Sequence, residues 1–357
     1  MSVLDLARAE IRNLAPYSSA RMEANGGKVL LNANENPWPP HGDDGQHLNR
    51  YPDPQPVELV EKLAAIYGVT AAQTLVGRGS DEFIDLLTRA FCRAGKDGIV
   101  ISPPTFGMYA VCARIQNARV REVPLRAEQD FSLDIDALLK AVTTTTRLVY
   151  VCTPNNPTGG VVGLKEIEYI ATALKDRAVL IVDEAYGEFS SEASAASLLA
   201  QHDNLVVLRT LSKAFALAGA RIGVALAAPE IIDLLRRIMA PYPLPATSVN
   251  AALKVLSSEA ISEMHQRVGL LCAERDRLLV AFAALPVVKK VWPSEANFLC
   301  LQFADAQLVY RTLLAQGIVL RNVSHYPGLA DCLRISIGRS LENQRVLAAL
   351  SALTEVV

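Results

Sequence analysis

The sequence predicts an α/β protein: a mainly parallel central sheet between helices, followed by a smaller α+β domain. Three observations carry this. Short β-branched runs alternate with amphipathic stretches over the first two thirds of the chain. A proline-rich stretch then breaks the alternation, and 357 residues are more than one ordinary core holds.

The runs are Gly98–Ser102, Leu148–Cys152, Ala178–Val182 and Asn204–Leu208. Each is short and apolar on both faces, as strands of a parallel sheet covered by helices must be. Between them, Asp81–Cys92 and Leu164–Leu174 carry apolar residues at helical spacing. The break is Ala240-Pro-Tyr-Pro-Leu-Pro-Ala246. Beyond it the pattern predicts one long helix over Ser248–Leu285, strands near Asn297–Gln302 and Cys332–Ser336, and a closing helix from Leu341. The expected organisation is a helical N-terminal arm over 1–28, a large α/β domain over 29–242 and a small α+β domain over 243–357. The proline-rich Tyr51–Pro56 reads as an ordered loop.

Composition narrows the function. A net charge of −2 without a basic block points away from nucleic acid and acidic membranes. Hydrophobic residues at 51% and charged ones at 20% fit an ordinary globular enzyme. No apolar run reaches the ~18 residues of a membrane span. The N-terminus lacks the apolar core of a secretory signal, so a cytoplasmic protein is expected. Cys92, Cys112, Cys152, Cys272, Cys300 and Cys332 make no CxxC pair and the histidines no HExxH. Free thiols and no metal site are expected.

The residues that carry chemistry cluster at predicted strand ends, where open α/β sheets bind ligands. Lys213 lies just past the run ending at Leu208, among small and apolar residues. A partly desolvated lysine has a lowered pKa and can attack an aldehyde. This segment alone reads equally as a surface loop. Asp183 follows the run Ala178–Val182. A carboxylate at a buried strand end needs a cation or donors, and a protonated pyridine nitrogen is one such cation. Tyr186, three residues on, can reach a phenolate oxygen on the same ring, as can Asn156 in the turn Thr153–Gly159. Taken alone, that turn is simply a turn. Gly77-Arg-Gly-Ser-Asp81 leads into a helix expected near Glu82 and offers backbone N–H groups to a phosphate. Ser212 and Arg221 add a hydroxyl and a guanidinium. Phe106 offers an aromatic face for stacking on the ring, or else a core side chain.

Together these segments resemble the fold-type I aminotransferases of the aspartate aminotransferase superfamily, and within them the histidinol-phosphate branch. The resemblance rests on Asn32–Pro37, Asn49–Asp53, Arg78–Glu82, Pro103–Tyr109, Pro154–Gly159, Asp183–Tyr186, Arg209–Gly219 and Leu333–Ser336. They stand in family order over most of the chain. The resemblance implies the pyridoxal-phosphate-dependent transferase fold, with pyridoxal 5'-phosphate held as a Schiff base on Lys213. Asp183 then pairs with the ring nitrogen, Tyr186 and Asn156 with the ring oxygen, and Ser80, Asp81, Ser212 and Arg221 surround the phosphate. It implies a homodimer in which Tyr51 reaches the partner subunit's cofactor. Arg334, with Arg321, Tyr17, Tyr51 and Asn156 around it, is implied to bind substrate. The expected reaction is ping-pong transamination between L-histidinol phosphate and 2-oxoglutarate, giving imidazole-acetol phosphate and L-glutamate in histidine biosynthesis. Phe106 departs from the family, which often has tyrosine there; stacking survives the change and a hydroxyl contact does not. The competing readings are an aminotransferase of broader, aromatic specificity, a lyase that decarboxylates an amino-acid phosphate, and a non-catalytic regulator.

Overall fold

In the computed structural model, which describes residues 2–15, 17, 20–23 and 29–354, seven strands form the central sheet. They are β1 (Thr74–Gly77), β2 (Gly98–Ile101), β3 (Arg119–Glu122), β4 (Thr146–Cys152), β5 (Val179–Asp183), β6 (Leu205–Thr210) and β7 (Gly223–Ala227). The order is β1-β7-β6-β5-β4-β2-β3. The strands β6, β5, β4, β2 and β3 run parallel, and β7 is antiparallel to both neighbours.

Both faces of this sheet are dry, which explains the continuous apolar runs. Val149, Val151, Leu180, Val182 and Val207 pack on one face, among residues of the helices Val57–Tyr67, Leu164–Leu174 and Ala246–Val255. Leu148, Tyr150, Val179, Ile181, Val206 and Leu208 pack on the other, with the helices Ser80–Phe91, Met108–Ile115 and Pro229–Arg236. Each buried aliphatic side chain contributes about 2 kcal/mol of transfer free energy. Alternation along a strand then decides the direction of the polar residues that follow. Asp183 continues the Val179–Ile181 side, and Glu184 turns to the opposite face.

A second sheet comprises β8 (Val288–Val291), β9 (Phe298–Phe303), β10 (Arg321–Asn322) and β11 (Cys332–Ser336). It is antiparallel throughout in the order β10-β11-β9-β8, and it makes the smaller C-terminal α+β domain with the helices Ser258–Ala283, Ala306–Ala315 and Ser340–Thr354.

Three boundaries differ from the sequence expectation. The long helix over Ser248–Leu285 is two helices, Ala246–Val255 and Ser258–Ala283. Ser257 separates them because its hydroxyl accepts from the Ala260 N–H and caps the second. The helix expected near Glu82 starts at Ser80, because Gly79 takes φ +83°, a conformation glycine permits. β5 and β6 run on to Asp183 and Thr210, so Asp183 is itself a strand residue, paired with Cys152 and Leu208. In the arm, Val3–Leu6 forms a short 3-10 turn that buries Val3 and Leu6 in the core cluster that also holds Ile84 and Phe91. Short helices follow at Ala9–Arg12 and Ala20–Glu23; positions 1, 16, 18, 19 and 24–28 of the expected arm lie outside the described residues. Among the described residues, no helix is long and apolar enough to cross a membrane.

Candidate active site

The carboxyl ends of β4, β5 and β6 open onto one cavity of about 570 Å³. Its wall brings together Ser80, Asp81, Phe106, Asn156, Asp183 and Tyr186 with Ser212, Lys213, Arg221, Arg321 and Arg334. The turns after β4, β5 and β6 meet there because parallel strands deliver them to the same edge of the sheet, while Arg321 and Arg334 come from β10 and β11 of the second sheet.

Lys213 sits in a tight turn after β6. The Leu211 N–H donates to Ile222 O, the Leu217 N–H to Leu211 O, and the Ala216 N–H to Lys213 O. Lys213 is exposed through the cavity mouth, and its Nζ lies 5.5 Å from the Tyr186 ring centroid. Its pKa is lowered, first by the desolvating protein around it and then by the like charges of Arg334 and Arg221.

Asp183 is the buried counterpart, with 2% of its surface exposed. The Tyr109 hydroxyl donates to its Oδ2 at 2.7 Å and the Ala185 N–H to its Oδ1 at 3.1 Å. Burial outweighs these donors and raises the carboxyl to about 6. Among the described residues, no salt bridge is made to it.

At the other end, Gly79 and Ser80 begin the helix Ser80–Phe91 against β7. The room comes from Gly223: a Cβ there would stand 2.1 Å from the Gly79 carbonyl carbon and 2.3 Å from Ser80 N. Arg221, in the left-handed region at φ +57°, donates to Ser212 Oγ at 3.3 Å and to Asp81 Oδ2 at 3.5 Å. A helix start, a hydroxyl and a guanidinium therefore face one point, the set that binds a phosphate.

The smaller domain supplies two further cations. Arg321 and Arg334 are cross-strand partners on β10 and β11. Like charges placed opposite each other favour an anion between them. Arg334 Nη1 donates to Asn156 Oδ1, and its guanidinium lies 5.1 Å from the Phe298 centroid. Its Nε is buried with no hydrogen-bond partner among the described residues.

Two predicted residues stay outside the cavity. Tyr17 is 71% exposed. Tyr51 is 48% exposed and stacks on Tyr242 with 4.5 Å between centroids. Sequence reasoning assigned no role to Tyr109, Gly223, Tyr326 or Val323. For Tyr109 a signal existed, since it lies three residues beyond Phe106; its bond to Asp183, 74 positions away, has none in the sequence. Arg209 was also missed. It bridges Glu184 and Glu188 at 2.6 Å each, on the face of the sheet opposite Asp183.

Comparison with known proteins shows the family. The family model for aminotransferase class I and II matches residues 27–350. The chain is similar to the histidinol-phosphate aminotransferase of Stenotrophomonas maltophilia (strain R551-3), 52% identical over 98% of this chain and 97% of the relative. Its counterpart from Xanthomonas euvesicatoria pv. vesicatoria (strain 85-10) is 48% identical over 100% and 99%. The fold matches the crystal structure of histidinol-phosphate aminotransferase from Sinorhizobium meliloti in complex with pyridoxal-5'-phosphate, with a TM-score of 0.77 at 24% identity over 98% of each chain. With the family model spanning nearly its whole length and its strand-end residues gathered in one cavity, this chain belongs to the class I and II aminotransferases.

Proposed function

We propose that this chain binds pyridoxal 5'-phosphate on Lys213 and transfers the amino group between L-histidinol phosphate and 2-oxoglutarate, yielding imidazole-acetol phosphate and L-glutamate. The observation that carries the reading is the pairing of opposites across one cavity. A lysine with a lowered pKa faces a buried carboxylate that has two donors and no cationic partner among the described residues. That carboxylate fits a cationic ring nitrogen, as the Gly79–Ser80 turn with Ser212 and Arg221 fits a phosphate.

Pyridoxal 5'-phosphate, when bound, supplies an aldehyde for the amine and a ring that takes up the electron pair left by the departing α-proton. The protein supplies the rest. Asp183 holds the ring nitrogen's proton. Asn156 and Tyr186 orient the ring oxygen, Phe106 covers a ring face, and Ser80, Asp81, Ser212 and Arg221 hold the phosphate. Lys213 Nζ would hold the cofactor through its aldehyde and, when free, would accept the substrate's α-proton and give it back. Its lowered pKa keeps a larger neutral fraction for that work. Arg321 and Arg334 bind whichever anion arrives, the phosphate of one substrate or a carboxylate of the other, because a planar fork serves both.

The domain boundary at 242/243 gives this arrangement a division of labour: residues 29–242 hold the cofactor groups and 243–357 the substrate arginines. We read the active unit as a cytoplasmic homodimer. Val29, Leu31, Trp38 and Tyr51 are exposed near the N-terminus, the kind of surface a second copy covers. In that dimer Tyr51 reaches the partner subunit's cofactor and Tyr17 joins the substrate pocket. Mixing inactive Lys213→Ala with Tyr51→Phe tests the shared site, and recovered activity in heterodimers is the expected result.

The substrate is tested by half-reactions of the bound cofactor with L-histidinol phosphate, phenylalanine, tyrosine and aspartate, followed by absorbance. Histidinol phosphate should react best, with glutamate reversing the spectral change. Equal rates for all four would overturn the substrate assignment. Release of carbon dioxide without the spectral cycle would replace it with a decarboxylase.

A further inference from the structure

We infer that Tyr109 is a positioning residue for the Asp183 carboxylate, fixing its plane and keeping it aimed at the cofactor's ring nitrogen; this rests on the function proposed above. Tyr109 is fully buried on the same sheet face as Asp183. Its hydroxyl reaches Oδ2 while the Ala185 N–H reaches Oδ1, so donors on different oxygens set the carboxylate's orientation. The phenol ring is packed on both a tyrosine and the core. It stacks on Tyr150 at 4.5 Å and 17°, and the Tyr150 and Thr88 hydroxyls lie 3.5 Å apart. Burial and the neighbouring carboxylate hold the Tyr109 phenol far above its ordinary range, so it stays protonated and donates.

The same segment acts twice. Phe106, on the cavity wall, packs edge-on to the Tyr109 ring at 5.7 Å and 84°. One short stretch at the start of the helix Met108–Ile115 thus presents both the face that covers the cofactor ring and the hydroxyl that orients the carboxylate. A phenylalanine at 109 would fill the same space and support Phe106 equally. What it would remove is one charge-assisted hydrogen bond to a desolvated carboxylate.

Tyr109→Phe isolates that bond. In the holoenzyme we expect about a tenfold rise in the pyridoxal phosphate dissociation constant, the effect of one bond to a charged group. A fall of about tenfold or more in kcat for the glutamate half-reaction should accompany it, with KM within about twofold. The decisive readout is a double-mutant cycle on cofactor affinity, measured by equilibrium dialysis. In an Asp183→Asn background, Tyr109→Phe should have almost no further effect. A lowered thermal midpoint with unchanged cofactor affinity and kcat would overturn the inference, and so would losses that add fully to those of Asp183→Asn. The wild-type control separates this from the function proposed above. If the wild type binds the cofactor and reacts with glutamate while Tyr109→Phe does so equally well, only the positioning role fails. If the wild type takes up no cofactor, the function fails and the positioning role falls with it.

Discussion

Consider Asp183→Asn in the cofactor-free protein. Asp183 is a buried strand residue whose carboxyl is raised from an ordinary 3.8 to about 6, chiefly by burial, with the Tyr109 hydroxyl and the Ala185 N–H pulling the other way. A raised carboxyl favours the folded state only while it is protonated. Its stabilising effect is complete below the unfolded value and is lost as pH rises to about 6. At ~1.4 kcal/mol per pKa unit, ionising Asp183 costs the fold about 1 kcal/mol at pH 4.5 and about 3 kcal/mol at pH 8. Asparagine escapes that cost. Its amide nitrogen replaces one acceptor oxygen, however, so either the Tyr109 hydroxyl or the Ala185 N–H loses its partner, a loss of about 1 kcal/mol at every pH. The variant should therefore match the wild type at pH 4.5 and be about 2 kcal/mol more stable at pH 8. For a chain of this size that is about 3 °C in Tm. Thermal unfolding of both proteins at both pH values measures it. Adding pyridoxal phosphate at pH 8 should reverse the order, because a cationic ring nitrogen stabilises a carboxylate and not an amide. The same Tm difference at both pH values would refute the reasoning, since Asp183 would then titrate as an exposed carboxylate does.

Other outcomes follow from neighbouring geometry. Gly223→Ala puts a methyl 2.1 Å from the Gly79 backbone, so the phosphate-facing turn must move. It should cost about 3 kcal/mol in urea unfolding and weaken cofactor binding, and unchanged affinity would remove this turn from the site. Arg334→Leu removes the cavity cation that holds Asn156. KM should rise about tenfold or more for glutamate and histidinol phosphate alike, and a rise for only one would show that the two anions use different arginines. Arg209→Met leaves Glu184 and Glu188 buried without their cation, so stability should drop by about 3–5 kcal/mol while KM changes little.

Much of the fold was legible because its signals are local. The four apolar runs became β2, β4, β5 and β6, and Leu164–Leu174 and Cys332–Ser336 fell where periodicity put them. The errors were at boundaries set by single residues. Ser257 ends one helix and caps the next inside a stretch whose apolar spacing looks continuous. Gly79 opens a helix two residues before the residue where the expectation placed its start. Tyr109 stayed hidden for a different reason: a buried aromatic reads as core until its hydroxyl is seen to meet a carboxylate.

What the sequence determined by itself is the class of fold, and it named the residues proposed to react. The fold class follows from short-range properties, namely two-faced apolar runs and turn chemistry; the residue roles rest on the polar residue that follows each run together with the family resemblance. The tertiary structure alone decided which of those residues share a cavity, and with what electrostatic character. The segment around Lys213, taken alone, reads as a loop, and the lysine's surroundings are defined only once the ends of β4, β5 and β6 stand side by side. Only then are its lowered pKa, the desolvated Asp183 across from it and the Arg321–Arg334 pair properties of one site. Desolvation and charge proximity depend on distances in space, which chain order does not encode.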